Sequence, residues 1–536
     1  MWLFTALSVS SLIFSPGPRC ISVVGTNDMH GVIEPLTRTV GHTTLRYGGV
    51  LGLSAYLQNI RTYAQNRVVL LDGGDIYQGT LPSNTSQGKA MVSAMNVLGY
   101  TASAVGNHEF DYGPLSSNPQ DLLGIVKQRI QEAHFPFLAA NIRDNTTQAL
   151  PSWKNLLPST LVNIQGLKIG IIGASTPETP RTTLPHQVAS LTFLPPAQDI
   201  VAESQKLRAQ GAQWVILTAH MGGQCPMEGA PNNADACNMQ DEELISLLRS
   251  LPKGTLDIAV GGHTHALIAH WVNGVATIES GARTQYLGWI ESCLGEDDKP
   301  DPSLTVIHTP VELCLDHWKD THTCEKRATE SPTERATFLN QPLVVSKKLQ
   351  RTLKPYLARA KKEANKTIGV HLPHSLELDA PSTYNLGEWV AQAMQKSLHT
   401  DVAIQNKGGV RTHLPSGNIT YGDIYQALPF DNRLVHLQVT GSELLTFIQN
   451  LTHNFTKPFP YMAGIICQKN SLFSCYIKKT VIKNSEFYTL ATNDFLVSGG
   501  DGASVFSKIE KNRINFSNIV IRDSFVSFLK FKYDQK

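Results

Sequence analysis

The sequence has no long hydrophobic run. No stretch approaches the about 20 apolar residues of a bilayer-crossing helix. It is also short of charge: Asp, Glu, Lys and Arg make up 17 % of its 536 residues, against about 25 % in an ordinary soluble domain. With 41 % hydrophobic residues, this is the reverse of a disordered composition. Neither sign dominates: 46 basic against 44 acidic residues leave a net charge of +2. That gives no overall basic field for a nucleic acid duplex. The eight cysteines include no C-x-x-C pair, which argues against a zinc ribbon or a thioredoxin-type site. Internal repeats and low-complexity tracts are missing, and the C-terminus lacks the hydrophobic tail removed on glycolipid anchoring.

What is present begins with an apolar stretch, Trp2–Phe14, followed by Ser15-Pro16-Gly17-Pro18. Its length and its helix-breaking end match a secretory signal, expected over residues 1–20. Three cysteine pairs lie close in sequence: Cys225/Cys237, Cys314/Cys324 and Cys467/Cys475. Each could close a short loop in an oxidising compartment, or all could be buried thiols. A secreted or periplasmic location follows as the expectation.

A chain this long holds two to four domains. From Ile21 onward, buried β-type runs (Ile21–Gly25, Arg67–Leu71, Ala102–Val105, Lys168–Gly173, Trp214–Thr218, Ile258–Val260) alternate with amphipathic stretches such as Gly49–Tyr63 and Lys89–Leu98. Strand–helix alternation predicts an α/β sheet covered by helices. This first unit is expected over residues 21–320. A polar linker, Thr321–Gln341, and a basic helix, Lys347–Asn365, interrupted at Pro355, fill 321–365. A second α/β unit is expected over 366–536, with Asn385–Ser397 helical, Val402–Gln405 a strand and Gly441–Leu451 a helix.

The strand ends of the first unit carry the chemistry. They read Asp28-x-His30, then Gly74-Asp75, then Gly106-Asn107-His108-Glu109, then His220, then Gly262-His263-Thr264-His265. In an open α/β sheet, sites form at that edge. Carboxylate, amide and imidazole ligands suit zinc, manganese or iron. Seven such groups exceed what one tetrahedral ion uses. They imply two ions, about 3.5–4 Å apart if a carboxylate is shared, the geometry of two-metal phosphoester hydrolysis.

This series resembles the calcineurin-like metallophosphoesterase pattern. The segments Asn27-Asp28-Met29-His30-Gly31 and Gly106-Asn107-His108-Glu109-Phe110-Asp111-Tyr112-Gly113 are similar to its 5'-nucleotidase branch. The resemblance covers essentially the whole chain after the leader. It implies a four-layer α/β/β/α metal domain joined by a linker helix to an α/β substrate domain. It implies one divalent ion, zinc or manganese, on Asp28, His30, Asp75 and His265. A second would sit on Asp75, Asn107, His220 and His263, with Asp75 bridging. His108 and Asp111 would form a dyad acting on the transferring phosphoryl group. Many members carry Gln or Asn where His265 stands.

In the second unit, Asn406-Lys407-Gly408-Gly409-Val410-Arg411 follows a strand. Its glycines let the backbone approach a ligand, and Arg411 offers a planar fork for phosphate. Leu428-Pro429-Phe430 and Asn493–Gly502 add two aromatic residues and a glycine-rich loop around Gly500. The resemblance implies that Phe430 and Phe495 sandwich a nucleobase and that Asp501 meets the ribose hydroxyls. Asn406 and Arg411 would meet base or phosphate. A further arginine that members often carry before the following helix is missing from Leu378–Tyr384. The implied function is hydrolysis of the 5'-phosphate of a nucleoside monophosphate. Nucleoside di- or triphosphates, UDP-sugars and cyclic nucleotides are the alternative substrates.

Overall fold

The computed structural model describes residues 19–533 except 228–241, 379, 382, 453–457, 470–472, 498, 504 and 507–508. The apolar stretch Trp2–Phe14 therefore lies outside the described residues.

Residues 20–312 form two β-sheets packed face to face. The first has seven strands in the order Val306–Glu312, Tyr286–Cys293, Cys20–Thr26, Val68–Asp72, Ala102–Ala104, Phe137–Leu138 and Leu156–Leu157. The second has six, in the order Leu267–Val272, Val275–Ser280, Ile258–Val260, Trp214–His220, Leu167–Ser175 and Ser159–Ile164. Alternation within each strand divides its side chains between two cores. Ile21, Val23, Val69 and Leu71 meet Ile169, Ile171, Trp214 and Ile216 between the sheets. Val24 and Leu70 point the other way, under the helices Gly49–Tyr63 and Lys89–Leu98. Ala197–Ala209 and Glu243–Ser250 cover the outer face of the second sheet. The layers are α/β/β/α, as the resemblance implies.

The second unit has a five-stranded sheet, in the order Tyr461–Ala463, Val402–Gln405, Phe487–Asn493, Arg433–Thr440 and Ile514–Val520. Helices Leu386–Leu398 and Ile521–Tyr533 pack on one face, and Gly441–Leu451 packs on the other. Two threonines cap helices here. Thr420 and Thr440 each accept the N3 backbone N–H, while Asp423 and Glu443 reach back to the cap, satisfying donors that the helix itself cannot.

Three expectations change. Cys20 is no part of a leader: it opens the first strand and is bonded to Cys293 on the neighbouring strand. The expected Cys314–Cys324 and Cys467–Cys475 bonds are present. Cys225 is disulfide-bonded, and its expected partner Cys237 lies outside the described residues. The segment Thr321–Gln341 is not a free linker. It folds back on the metal domain: Thr333–Arg335 pairs with Asp316–Trp318, and a local hairpin of Thr337–Phe338 with Gln341–Pro342 packs Phe338 on the first core.

Pro355 does not interrupt the bridging helix, which runs unbroken over Lys347–Ala364. The proline is exposed, so the carbonyl it leaves unpaired faces water rather than a core. Leu349 and Leu353 anchor the helix in the metal domain. About two turns after Leu353, Ala360 packs with Leu81 of that domain and Tyr425 of the second.

The Cys20–Cys293 bond ties residues 273 positions apart. Replacing both with serine should lower the unfolding free energy by about 2–4 kcal/mol in a denaturant titration of the oxidised protein. An unchanged midpoint and slope would show that the bond clamps nothing.

Candidate metal centre and active site

The parallel strands of both sheets end at the same rim, so loops distant in sequence meet there. Close approach is built in at Gly73 and Gly106. A Cβ on Gly73 would lie 2.5 Å from the Gly261 carbonyl, and one on Gly106 would lie 2.3 Å from Asp75 Oδ1. Five of the seven expected ligands have left-handed backbone: Asp28 (φ 49°), His30 (φ 48°), Asp75 (φ 58°), His263 (φ 80°) and His265 (φ 59°). Non-glycine residues adopt this conformation at a cost of about 1–3 kcal/mol each. The surrounding packing imposes it, and it turns the side chains inward.

Six of the seven expected ligands converge in two groups, Asp28, His30 and His265 in one and Asp75, His220 and His263 in the other, and the seventh, Asn107, lies against His220. Asp28 is fully buried. Its Oδ2 accepts the Asn27 amide at 2.7 Å and the His263 N–H at 2.8 Å. Its Oδ1 has no hydrogen-bond partner and lies 3.3 Å from His265 Nε2. His30 Nδ1–H donates to the Gln78 carbonyl at 2.9 Å, which leaves the lone pair on Nε2, 3.0 Å from His265 Nε2.

The second group follows the same logic. His220 Nδ1–H donates to the Gly73 carbonyl at 2.8 Å. Its Nε2 then faces Asn107 Oδ1 at 2.8 Å, His263 Nδ1 at 3.1 Å and Asp75 Oδ2 at 3.2 Å. Asn107 donates its NH2 to Thr182 O at 3.0 Å, which turns its oxygen toward the site. Lone pairs facing lone pairs in a buried cleft are repulsive unless positive charge lies among them. Hard oxygens with imidazoles, and an orphaned carboxylate oxygen, fit divalent ions. Without such ions, burial draws His30 and His263 down to about 4. Burial also works against protonated His220, but Asp75 beside it prevails and holds it up at about 10.

His108 stands next to these groups without joining them. Its backbone N–H donates to Asp75 Oδ1 at 2.9 Å, and its Nδ1–H reaches Asp111 Oδ2 at 2.6 Å. Burial disfavours its charged form, but Asp111 and Asp75 outweigh that and raise it to about 10. The hydroxyl of Thr183 fixes the other Asp111 oxygen at 2.9 Å.

The structure brings the dyad together with part of the expected substrate set. His108 and Asp111 line one pocket with Phe430, Asp494 and Phe495. Gly500 lies against the Phe495 ring, where a Cβ would approach to 2.5 Å. The remaining groups open elsewhere. Asn406 donates to Asp501 Oδ2 at 2.8 Å, and this pair lines a separate small cavity with Gly408. Gly409 packs tightly beside Gln405. Arg411 lies 5.8 Å from the centroid of the Phe430 ring but lines a larger interdomain cleft of about 1280 Å³. Arg283, Lys347, Arg351, Lys354 and Lys361 share that cleft with a single carboxylate, Glu34.

Several supporting residues are not among those expected from the sequence. Glu109 lies within the Gly106–Glu109 motif but is not a ligand. Its buried carboxylate accepts the N–H groups of Asp75 (2.9 Å), Ile76 (2.7 Å) and Gly106 (2.7 Å), joining the two ligand loops. Burial and nearby Asp75 raise it to about 7. Glu279, buried in the neighbouring strand, accepts Ala266 N–H at 3.0 Å and the Thr264 hydroxyl at 2.8 Å, holding the His263–His265 turn. Arg283 donates its N–H to the Asp28 carbonyl at 2.7 Å. Only a residue charged and placed like Glu109, directly after a strand and among ligands, could have been suspected from sequence.

Comparisons with known proteins agree with this geometry. Residues 21–267 match the calcineurin-like phosphoesterase family model, and residues 372–508 match the 5'-nucleotidase C-terminal domain. The chain is 26 % identical to protein UshA of Yersinia enterocolitica, over 93 % of this chain and 90 % of that one. It is likewise 26 % identical to a snake venom 5'-nucleotidase of Crotalus adamanteus, over 94 % and 84 %. Its fold is similar to that of a 5'-nucleotidase precursor from Thermus thermophilus, with a TM-score of 0.69, 22 % identity, and 96 % and 97 % of the two chains covered. With both family models matched in order around two groups of candidate metal ligands, the chain belongs to the 5'-nucleotidase family of metal-dependent phosphohydrolases.

Proposed function

We propose that this protein removes the 5'-phosphate of nucleoside monophosphates, releasing nucleoside and phosphate. The observation that carries the reading is one pocket in which the His108–Asp111 dyad faces Phe430 and Phe495, beside the paired ligand groups. Asp28, His30 and His265 would hold one divalent ion, and Asn107, His220 and His263 a second, with Asp75 shared. When bound, such ions supply Lewis acidity and a water acidic enough to attack phosphorus at neutral pH.

The chain's own residues do the rest. Asp111, fixed by Thr183, keeps the proton on His108 Nδ1, so that His108 Nε2 meets the phosphoryl group as it gathers charge. Phe430 and Phe495 offer apolar faces for a base. Arg411 is the phosphate fork, and Arg283, facing the same cleft from the metal domain, takes the place of the arginine missing from Leu378–Tyr384. A second reading is favoured by that cleft. Its six cations against one carboxylate suit substrates with more than one phosphate, such as nucleoside di- or triphosphates.

Secretion or periplasmic export is supported by the disulfides, which form in oxidising compartments. Among the described residues, no helix is long and apolar enough to cross a membrane.

With zinc or manganese restored, phosphate release should be fastest from AMP within a panel of AMP, ADP, ATP, UDP-glucose and 2',3'-cyclic AMP. Preference for ADP or ATP selects the second reading, and no release from any member rejects both. His108→Ala should reduce kcat by about 10²–10⁴-fold with metal content unchanged; full activity would remove the dyad from the mechanism. Phe495→Ala should raise KM for AMP several-fold and spare an aryl phosphate, whereas equal effects on both substrates would mean that no base stacks there.

A further inference from the structure

Among the described residues, a group of imidazole and carboxylate ligand atoms also converges outside the catalytic cleft. His317, in the strand Asp316–Trp318, lies directly opposite Glu334 of the strand Thr333–Arg335. His322 sits in the loop between them, with φ of 54°. Its N–H donates to the Trp318 carbonyl at 2.9 Å, and the Trp318 N–H donates to the Thr323 carbonyl at 2.8 Å. The Cys314–Cys324 bond spans the same loop, so both imidazoles project from a fixed backbone.

The two rings address one oxygen. His317 Nε2 lies 3.3 Å and His322 Nδ1 3.4 Å from Glu334 Oε1, with ring centroids 5.2 Å apart. These separations are long for a charge-assisted hydrogen bond of about 2.7–2.9 Å. They equal the edge of a tetrahedron around zinc, since ligand bonds of about 2.0–2.1 Å give edges of about 3.3–3.4 Å. The catalytic centre sets the same scale: its imidazole–carboxylate edges are 3.3 Å at His265–Asp28 and 3.2 Å at His220–Asp75. The side chain of His317 is 8 % exposed, that of Glu334 40 % and that of His322 68 %. The open side of the group therefore faces solvent, which supplies a fourth ligand. The adjoining group of Glu312, Cys314 and Cys324 offers no thiolate, because its sulfurs are bonded to each other.

We propose that His317, His322 and Glu334 form a further divalent-metal site of the zinc class, with water completing a tetrahedron. The ion fastens the hairpin that leads from the metal domain into the bridging helix. It plays no part in the hydrolytic step.

The test is zinc content per chain after equilibrium dialysis of the full-length wild type, His322→Ala and Glu334→Gln. His322 is exposed, so its replacement leaves the fold intact. Each variant should hold one zinc fewer than the wild type and release phosphate from AMP at the wild-type rate. The difference is independent of how many ions the catalytic centre takes up and of which nucleotide it prefers. Equal zinc content in the wild type and both variants would overturn the site.

Discussion

Everything at the catalytic rim depends on one electrostatic constraint. Buried carboxylates and imidazoles are held with their ligand atoms aimed at one another, so that without metal ions His220 stays protonated beside Asp75. Asp28 Oδ1 is buried without a hydrogen-bond partner, and His220 Nε2 lies within 3.2 Å of Asn107 Oδ1, His263 Nδ1 and Asp75 Oδ2. Such a cluster persists only because its members are fixed from behind. Gln78 and Gly73 carbonyls set the imidazole tautomers, Asn27 and the His263 N–H hold one Asp28 oxygen, and Glu109 and Glu279 tie the loops together. The left-handed backbone at five ligands is the local expression of that constraint.

The two sheets make the convergence possible. Each supplies parallel strands whose C-terminal ends carry ligands, and packing them face to face joins the two half-sites. The first sheet brings Asp28, His30, Asp75 and Asn107, and the second brings His220, His263 and His265. The bridging helix then sets the second domain over the rim. Leu349 and Leu353 fix its start in the metal domain, while Ala360 and Tyr425 fix its end against the other domain. Asn84 strengthens that contact by accepting from Tyr112 at 2.8 Å while donating to the Tyr425 hydroxyl.

The ligand motifs were legible because each lies within a few residues of the end of a continuous apolar strand. The helices Gly49–Tyr63 and Lys89–Leu98 were legible from periodicity alone, to the residue. The strands from Leu267 to Glu312 were not. They carry Thr277, Glu279, Ser280 and Ser292 at buried positions, and most of these polar residues are satisfied by partners distant in sequence. Glu279 binds the His263–His265 turn, and Ser292 accepts the Trp214 indole N–H at 3.0 Å. Pro355 misled for the opposite reason: its cost depends on which side of the helix faces water, and only tertiary packing decides that. Arg283 could not be seen at all, since its relation to Arg411 exists only across the domain boundary.

Anomalous diffraction from crystals grown with manganese or zinc would locate the ions at the catalytic rim. Two peaks about 3.5–4 Å apart are expected, one among Asp28, His30 and His265 and the other among Asp75, His220 and His263. A single peak at this rim, or none, would contradict a two-metal phosphohydrolase.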